Sequence, residues 1–360
     1  MSDGYRVLSL FDGMGCAHLA MQGAGLPIGR YVAFEVDRFC NEAVAHNFPD
    51  AERRGDVFDA DFTEFEGFDF LMGGSPCTYW SVAQSADRRE VTASGVGWEL
   101  FQQYVRALHE AKPRWFIYEN NKSMSRVIRD SISEAFGFEP VWINSALVSA
   151  QKRDRLYWVG RREEDGTYSQ VYVEQPADRR TLLRDVLESG VDLTSRDKSF
   201  VLTASYDGAI PWNTIERHQR TMVAQPVGET KDGKAYAVLS TYDHKGNSPD
   251  RTISRHKDTM AAEPLRYDPP EDANVYEVCD GQVWIRGRKY PIGLQDGKYI
   301  IRKLTVRECM RLQTVPEWYD FSCVSNTQAY KMLGNGWTVE VIVHLLRSVM
   351  EGEGDARSGD

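Results

Sequence analysis

The sequence predicts an α/β fold, a mostly parallel sheet joined to a smaller, mainly β or irregular region. Three observations carry this. Apolar, strand-like runs alternate with helix-periodic stretches through the first 160 residues. A glycine-rich turn follows the first run, as in nucleotide-binding α/β units. Helical periodicity then fades from about 161 to 303 and returns after 304.

Each element follows from its residues. Residues 6–10 (RVLSL) read as the first strand and end at Phe11-Asp12-Gly13-Met14-Gly15. Further strands are expected at 31–34, 68–72, 115–118, 141–148 and 156–159, with helices at 38–46, 98–111 and 124–136. In Trp98 to Leu108, apolar residues recur every three to four positions. From 161 onward, short β-like pieces alternate with Gly, Asp and Pro turns. A degenerate repeat lies there. Val201 to Asp207 resembles Val238 to Asp243, and Arg217-His218-x-x-Thr221-Met222 recurs as Arg255-His256-x-x-Thr259-Met260. Two copies are too few for a solenoid, so a duplicated β-rich surface element is expected. Helix returns at 338–346, and the last ten residues read as a frayed tail.

Composition excludes several classes. Apolar residues make up 42% and charged residues 27% of 360, which argues against disorder, collagen and coiled coil. There is no run of apolar residues long enough for a transmembrane helix, and no basic leader opens the chain, so a cytoplasmic protein with no membrane partner is expected. The six cysteines lack CxxC spacing, so neither a zinc site nor a disulfide framework is expected. The net charge of −10 argues at first against a nucleic-acid partner. It is unevenly spread. Residues 1–150 hold 13 basic and 21 acidic side chains, whereas 151–310 hold 26 and 25. Basic clusters lie at Arg251 to Lys257 and Arg286-Gly-Arg288-Lys289.

A strand, a glycine turn and a helix can hold a nucleotide-like ligand, because the backbone comes close and the helix start favours negative groups. Gly13 and Gly15 are present, but His18 stands where the dinucleotide fingerprint needs its third glycine. Glu35 closes the next strand-like run, placed to accept from two ribose hydroxyls, and Asp56 after a third run could receive an adenine amino group. Turn, ribose acid and adenine acid in that order suit S-adenosylmethionine better than NAD, since the former has no pyrophosphate.

Gly73-Gly74-Ser75-Pro76-Cys77 follows the FDFLM run, which puts a thiol at a strand's carboxyl end. A thiol there can be a nucleophile. Thr78 to Gly97 is polar and ends in Gly95-Val96-Gly97, as a mobile loop would. The strand at 115–118 leads to Glu119-Asn120-Asn121, and Gln151-Lys152-Arg153-Asp154-Arg155 leads into Leu156 to Val159. Arg153 and Arg155, two apart on a strand, would point the same way. Thiol, carboxylate and paired arginines suit attack on a polarised heteroaromatic ring.

The order of these motifs resembles that of the DNA cytosine-5 methyltransferases. The matching residues are Phe11 to Gly15, Glu35, Gly55-Asp56-Val57, Ser75-Pro76-Cys77, Glu119-Asn120, Gln151-x-Arg153-x-Arg155, Arg307-Glu308-x-x-Arg311-Leu312-Gln313 and Gly334-Asn335-Gly336. Gly73 to Cys77 and Gly334 to Trp337 look most like the branch that holds the animal de novo enzymes and many phage and prophage enzymes. The resemblance implies a Rossmann-like S-adenosylmethionine-dependent methyltransferase fold with helices on both faces. It spans 1–160 plus 304–350, interrupted by a target-recognition domain at 161–303.

The resemblance also implies roles. Cys77 would add to C6 of a cytosine flipped out of double-stranded DNA, and Glu119 would hold the ring at N3. Arg155 would contact O2 with Arg153 nearby, while Asn120 would hold the loop carrying Pro76. S-adenosylmethionine would lie against Phe11, Asp12, Gly13, Gly15, Glu35, Val36, Asp56, Val57, Leu100, Asn335 and Trp337. DNA would meet Ser81, Arg217, Arg255, Lys257, Arg286 and Arg288. A monomer without an obligate protein partner is expected. Asn121 departs from the family's usual valine and Thr78 from its frequent glutamine. The other readings are a transfer RNA cytosine-5 methyltransferase, a transferase using a modified S-adenosylmethionine, and an inactive DNA-binding module. Restriction–modification, phage protection and regulation all stay open as purposes.

Overall fold

A computed structural model describes residues 4–82, 85, 87–227, 275–285 and 287–357. The described chain divides into two units. One comprises 1–186, 197–208 and 305–360, the other 187–196 and 209–304.

The first unit is built on an eight-stranded mixed sheet. Its strands are β1 (Tyr5–Leu10), β2 (Ile28–Phe34), β3 (Glu52–Arg54), β4 (Phe70–Gly73), β5 (Trp115–Asn121), β6 (Val141–Asn144), β7 (Asp154–Arg162) and β8 (Tyr168–Gln170). The order is β3-β2-β1-β4-β5-β7-β6, with β8 paired to β7. β3 through β5 run parallel, while β7 is antiparallel to β5, β6 and β8. Val7 to Leu10 and all of β5 are buried, as expected when both faces of a sheet are covered. Besides one turn at Leu183–Val186, the helices are α1 (Cys16–Gly23), α2 (Arg38–Asn47), α3 (Val96–Ala111), α4 (Arg126–Phe136), α5 (Val306–Leu312), α6 (Asn326–Asn335) and α7 (Val339–Arg357).

Local chemistry sets their limits. Asp37 caps α2 by accepting from Phe39 N, and Ser125 caps α4 by accepting from Ile128 N. Thr305 and Glu308 form a reciprocal capping box on α5. On one side of the sheet, Phe101 and Tyr104 of α3 and Phe136 of α4 pack with Phe116, Tyr118 and Trp158. The Tyr104 hydroxyl donates to the carbonyls of Leu71 and Ile117, which satisfies a buried polar group.

Some sequence expectations shift. β5 continues three residues beyond Tyr118, because β7 supplies ladder partners as far as Asn121. The run at 141–148 is a strand only to Asn144, whose side chain then caps a 3₁₀ turn. Residues 161–186 and 197–208 fall in the first unit instead of starting the second. Tyr168–Gln170 extends the sheet, and Gln151 bridges to Ser199. The first repeat copy is therefore no single surface element. Its first half lies in the first unit, with Leu202 and Tyr206 buried and no strand, and its second half supplies the strand Met222–Val227 of the other unit. The second copy lies outside the described residues. The expected frayed tail is helical to Arg357, since extending a formed helix needs no new nucleus.

The second unit is a six-stranded antiparallel sheet. Its strands are β9 (Val191–Asp192), β10 (Met222–Val227), β11 (Val275–Cys279), β12 (Gln282–Ile285), β13 (Arg288–Pro291) and β14 (Gly297–Lys303). The order is β13-β12-β11-β14-β10-β9. On β12, Val283 and Ile285 are buried while Gln282 and Trp284 are exposed, the alternation of a sheet with one covered face. No helix among the described residues is long and apolar enough to cross a membrane.

Candidate active site

The carboxyl ends of β1, β2, β4 and β5 open onto one cavity of about 210 Å³ in the first unit. This is where an open parallel sheet binds ligands. Its wall includes Phe11, Asp12, Gly13 and Glu35, and also Pro76, Cys77, Glu119, Arg153 and Arg155, with Asn335 and Trp337.

The glycine turn is built for close approach. Gly13 has φ +58° and Gly15 φ +80°, left-handed values that suit glycine. Phe11 also has φ +55°, a strained setting for a bulky residue at a strand's end. Glu35 is pinned by backbone amides. Its Oε2 accepts from Gly13 N at 2.8 Å, and its Oε1 accepts from Val36 N and Asp37 N at 2.8 Å each. Three of the carboxylate's roughly four acceptor sites are thus used, and the remaining one is on Oε2. Asp12 is buried, and Ser9 Oγ donates to its Oδ1 at 2.6 Å, joined there by the Tyr31 hydroxyl. Its Oδ2 is buried without a partner. Burial pushes the Asp12 carboxyl up to about 6. His18, at the third-glycine position, stacks on Phe48 at 3.9 Å, and burial lowers it to about 4.

The Cys77 turn rests on a polar platform. Asn120 Nδ2 donates to Ser75 O at 3.1 Å, and the Ser75 and Tyr118 hydroxyls lie 2.6 Å apart. Gly74 is needed because a Cβ there would come within 2.6 Å of Glu119 O. Cys77 is half-buried and free. Arg155 Nε pairs with Glu119 Oε1 at 2.8 Å, and Trp337 Nε1 donates to Glu119 Oε2 at 2.9 Å. Both carboxylate oxygens are therefore engaged. Arg153 precedes β7 and is buried, donating to the carbonyls of Leu202, Gly334 and Gly336 at 2.8–3.2 Å. Burial and the neighbouring Arg155 push its guanidinium below the usual range.

Not every expected residue reaches the cavity. Asp56 accepts from Phe58 N as the cap of a 3₁₀ turn and borders a separate acidic depression. Val57 is buried, Leu100 packs on the core, and Val36 is exposed. Gly15 caps α1, with its Cα facing Phe48. Asn121 points away: its amide donates to Asn120 Oδ1 and its oxygen accepts from Ser123. Ser81 N donates to Cys77 O. The segment after Cys77 is anchored: Trp80 is fully buried, and Glu90 accepts from both Trp80 Nε1 and Gly97 N.

In the second unit, Arg217 lies over the Trp212 ring at 4.3 Å. Arg288 is exposed and 3.7 Å from Glu216, which also accepts from Tyr290. Arg255, Lys257 and Arg286 lie outside the described residues.

Sequence reading gave no role to Ser75, which it placed in the matched motif, or to Tyr118, and missed the Asp37–Lys331 ion pair at 2.7 Å; these residues line the cavity or support it. A carboxylate two residues after Glu35, at a helix cap, was the available signal for Asp37.

Residues 5–351 match the model of the C-5 cytosine-specific DNA methylases. The chain belongs to that family. Among its relatives, the type II methyltransferase M1.ScrFI of Lactococcus lactis subsp. cremoris is 26% identical over 363 residues, covering 96% of this chain and 78% of that protein. The orphan methyltransferase M.SPRI of Bacillus phage SPR is 32% identical over 171 residues, covering 44% of this chain and 38% of that protein. Solved structures of similar fold include the S. pombe Dnmt2 methyltransferase (TM-score 0.53, 14% identity, 97% of this chain and 99% of that one). The Entamoeba histolytica methyltransferase EhMeth gives 0.58 at 10% identity, covering 97% and 98%. This chain is thus a C-5 cytosine methyltransferase by family, with a Rossmann-like catalytic fold.

Proposed function

We propose that this methylase transfers a methyl group from S-adenosylmethionine to C5 of a cytosine flipped out of double-stranded DNA. The reading rests on one observation. A single cavity is lined both by Cys77, Glu119 and Arg155 and by Glu35 and residues of the glycine turn.

The residues fit the cofactor. Glu35, held by three amides, keeps an acceptor site on Oε2 for a ribose hydroxyl. The partnerless Asp12 Oδ2 can accept from an amino group, and Phe11 offers a ring for stacking. When bound there, S-adenosylmethionine supplies an electrophilic methyl group.

The chain's own residues do the rest. Cys77 Sγ, as thiolate, forms a bond to C6 of the ring. Glu119 holds N3 in its protonated form, which draws electron density from C6. Arg155 fixes Glu119 and faces the ring's O2. The added electron pair makes C5 nucleophilic, and C5 takes the methyl. The C5 proton leaves to solvent, the C6–Sγ bond breaks, and Cys77 departs as thiolate. Ser75, Tyr118 and Asn120 hold the Cys77 turn in place. The second unit, with exposed Arg217 and Arg288, reads the DNA, where phosphate contacts position and base contacts specify.

Labelled S-adenosylmethionine and DNA of varied sequence test this. The expected product is 5-methylcytosine; folded protein that yields none overturns the reading. DNA carrying 5-fluorocytosine should trap the enzyme covalently, because fluorine cannot leave C5 as a proton does. A mere DNA-binding module gives no adduct. Sequencing DNA from expressing cells maps the methylated site.

A further inference from the structure

The segment after Cys77 holds a carboxylate that the chemistry above leaves unused. Trp80 is fully buried, and its indole N–H has to find an acceptor there. Glu90 supplies it, with Oε2 accepting from Trp80 Nε1 at 3.1 Å. The same carboxylate accepts from Gly97 N, at 3.1 Å on Oε2 and 3.3 Å on Oε1. That amide lies in the first turn of α3, whose own cap residue, Gly95, has no side chain to offer. A negative group at a helix start is also favoured by the helix dipole.

The surroundings are shaped for this carboxylate. A Cβ on Gly95 would come within 2.6 Å of Glu90 Oε1. One on Gly97 would meet Trp80 Nε1 at 2.6 Å and Glu90 Oε2 at 2.7 Å. The two glycines that read from sequence as the end of a mobile loop thus make room for a fixed contact. Backbone bonds carry that contact to the nucleophile. Glu90 N donates to Tyr79 O at 2.8 Å, and Trp80 N and Ser81 N donate to Cys77 O at 3.1 and 2.9 Å. Beside Glu90, Val91 O accepts at 2.6 Å from Ser125 Oγ, the cap of α4. α3 itself is packed into the core through Phe101 and Tyr104. Resting on the methyl-transfer reading above, we propose that Glu90 is a positioning residue for Cys77. It clamps the downstream end of the Cys77 turn to the start of α3, as Asn120 holds the upstream end at Ser75. Its effect falls on the attack of Cys77 at C6, while Glu35 and the glycine turn are held by bonds of their own.

The test uses full-length protein and a duplex bearing the site mapped by sequencing. Two rates are measured, single-turnover methyl transfer and covalent trapping on the 5-fluorocytosine duplex, together with KM for S-adenosylmethionine. Glu90→Ala should lower both rates by about tenfold to a hundredfold, the cost of misplacing a reacting group by about 1 Å. Its KM for S-adenosylmethionine should stay within about twofold of wild type, since transfer and not ground-state binding is disturbed. Glu90→Gln keeps one acceptor oxygen and should recover most of the rate. Trp80→Phe keeps the packing and removes the donor; it should slow transfer, and adding it to Glu90→Ala should cost nothing further. Gly97→Ala puts a better helix former into α3 and should still lower both rates, because its Cβ forces the clamp apart. A merely structural Glu90 would lower the melting temperature and leave the rates of the folded enzyme alone. Unchanged rates in folded Glu90→Ala overturn the clamp, as do unchanged rates in Gly97→Ala and Trp80→Phe should Glu90→Ala not fold. A raised KM with both rates intact overturns it too. A wild type that neither methylates nor traps DNA sinks the reading beneath it, whereas an active wild type matched by Glu90→Ala sinks the clamp alone.

Discussion

In the first unit, Arg153 is buried and gives its guanidinium to three backbone carbonyls, while Glu35 takes three backbone amides. In the second, the Arg288 side chain is 76% exposed and meets Glu216 at 3.7 Å. Groups bound to backbone cannot drift without unfolding their elements. Exposed side-chain pairs exchange with water at a cost of about 0–1 kcal/mol. The first arrangement fixes reacting atoms; the second leaves a surface free to rearrange on a partner. The charge follows the same division, with 27 basic and 38 acidic side chains in the first unit and 16 and 15 in the second. The overall −10 therefore says little about DNA.

The largest effect should come from one atom in the fixed unit. Cys77→Ala should lower methyl transfer by at least about a thousandfold, as loss of a nucleophile does. Cys77 is half-buried, so thermal stability should stay within about 0.5 kcal/mol of wild type. Tritium incorporation and thermal melts check both. Retained activity would remove Cys77 from the mechanism, and lost stability would mean that the turn is held by the thiol.

Asp12 gives the next largest effect and tests whether the frame carries stored cost at its site. Its folded carboxyl stands at about 6, raised by burial above the ordinary value of 3.8. The sign follows from linkage. The raised group favours folding below pH 4, and that contribution is lost as pH rises through 6. Asp12→Asn removes the cost of the buried charge. It should stabilise the protein at pH 8 by up to about 3 kcal/mol, shrinking toward zero near pH 4. It should also weaken cofactor binding. Melts across pH 4 to 8 decide; a stabilisation that does not depend on pH would rule out the carboxyl as its source.

The parts of this frame that were legible in the sequence were the contiguous ones. Gly13, Gly15 and Cys77 sit in short motifs at strand ends, and at the two glycines the left-handed backbone itself favours that residue. Residues assigned by adjacency fared differently. Asp56, Val57 and Val36 neighbour the right strands, but capping, burial and solvent claim them. Contacts set by topology were invisible. Trp337 meets Glu119 across 218 positions and Lys331 meets Asp37 across 294. No local pattern encodes such pairings. The extra residues of β5 were hidden for the same reason, since their ladder partner β7 starts 33 residues later.

Gly74→Ala probes the frame by crowding. The new Cβ would sit 2.6 Å from Glu119 O, a backbone atom that cannot swing aside. Either the Cys77 turn or the end of β5 must shift. A loss of about 1–3 kcal/mol is expected, with transfer falling more than stability because Glu119 moves with its strand. Chemical denaturation and kcat measured on one preparation separate the two. Loss of stability with kcat intact would mean that β4 and β5 can separate without disturbing the site.

The smallest effect belongs to the second unit, and there the comparison predicts a change of kind. Arg288→Ala deletes an exposed charge whose partner Glu216 also accepts from Tyr290, so stability should change by less than about 0.5 kcal/mol. If Arg288 meets a phosphate, DNA affinity should fall for every sequence alike, and the slope of log affinity against log salt should drop by about 1. A loss confined to one base position would instead make Arg288 a reader of sequence. A loss of several kcal/mol in stability would contradict the contrast itself, because it would give an exposed pair the structural weight of a buried one.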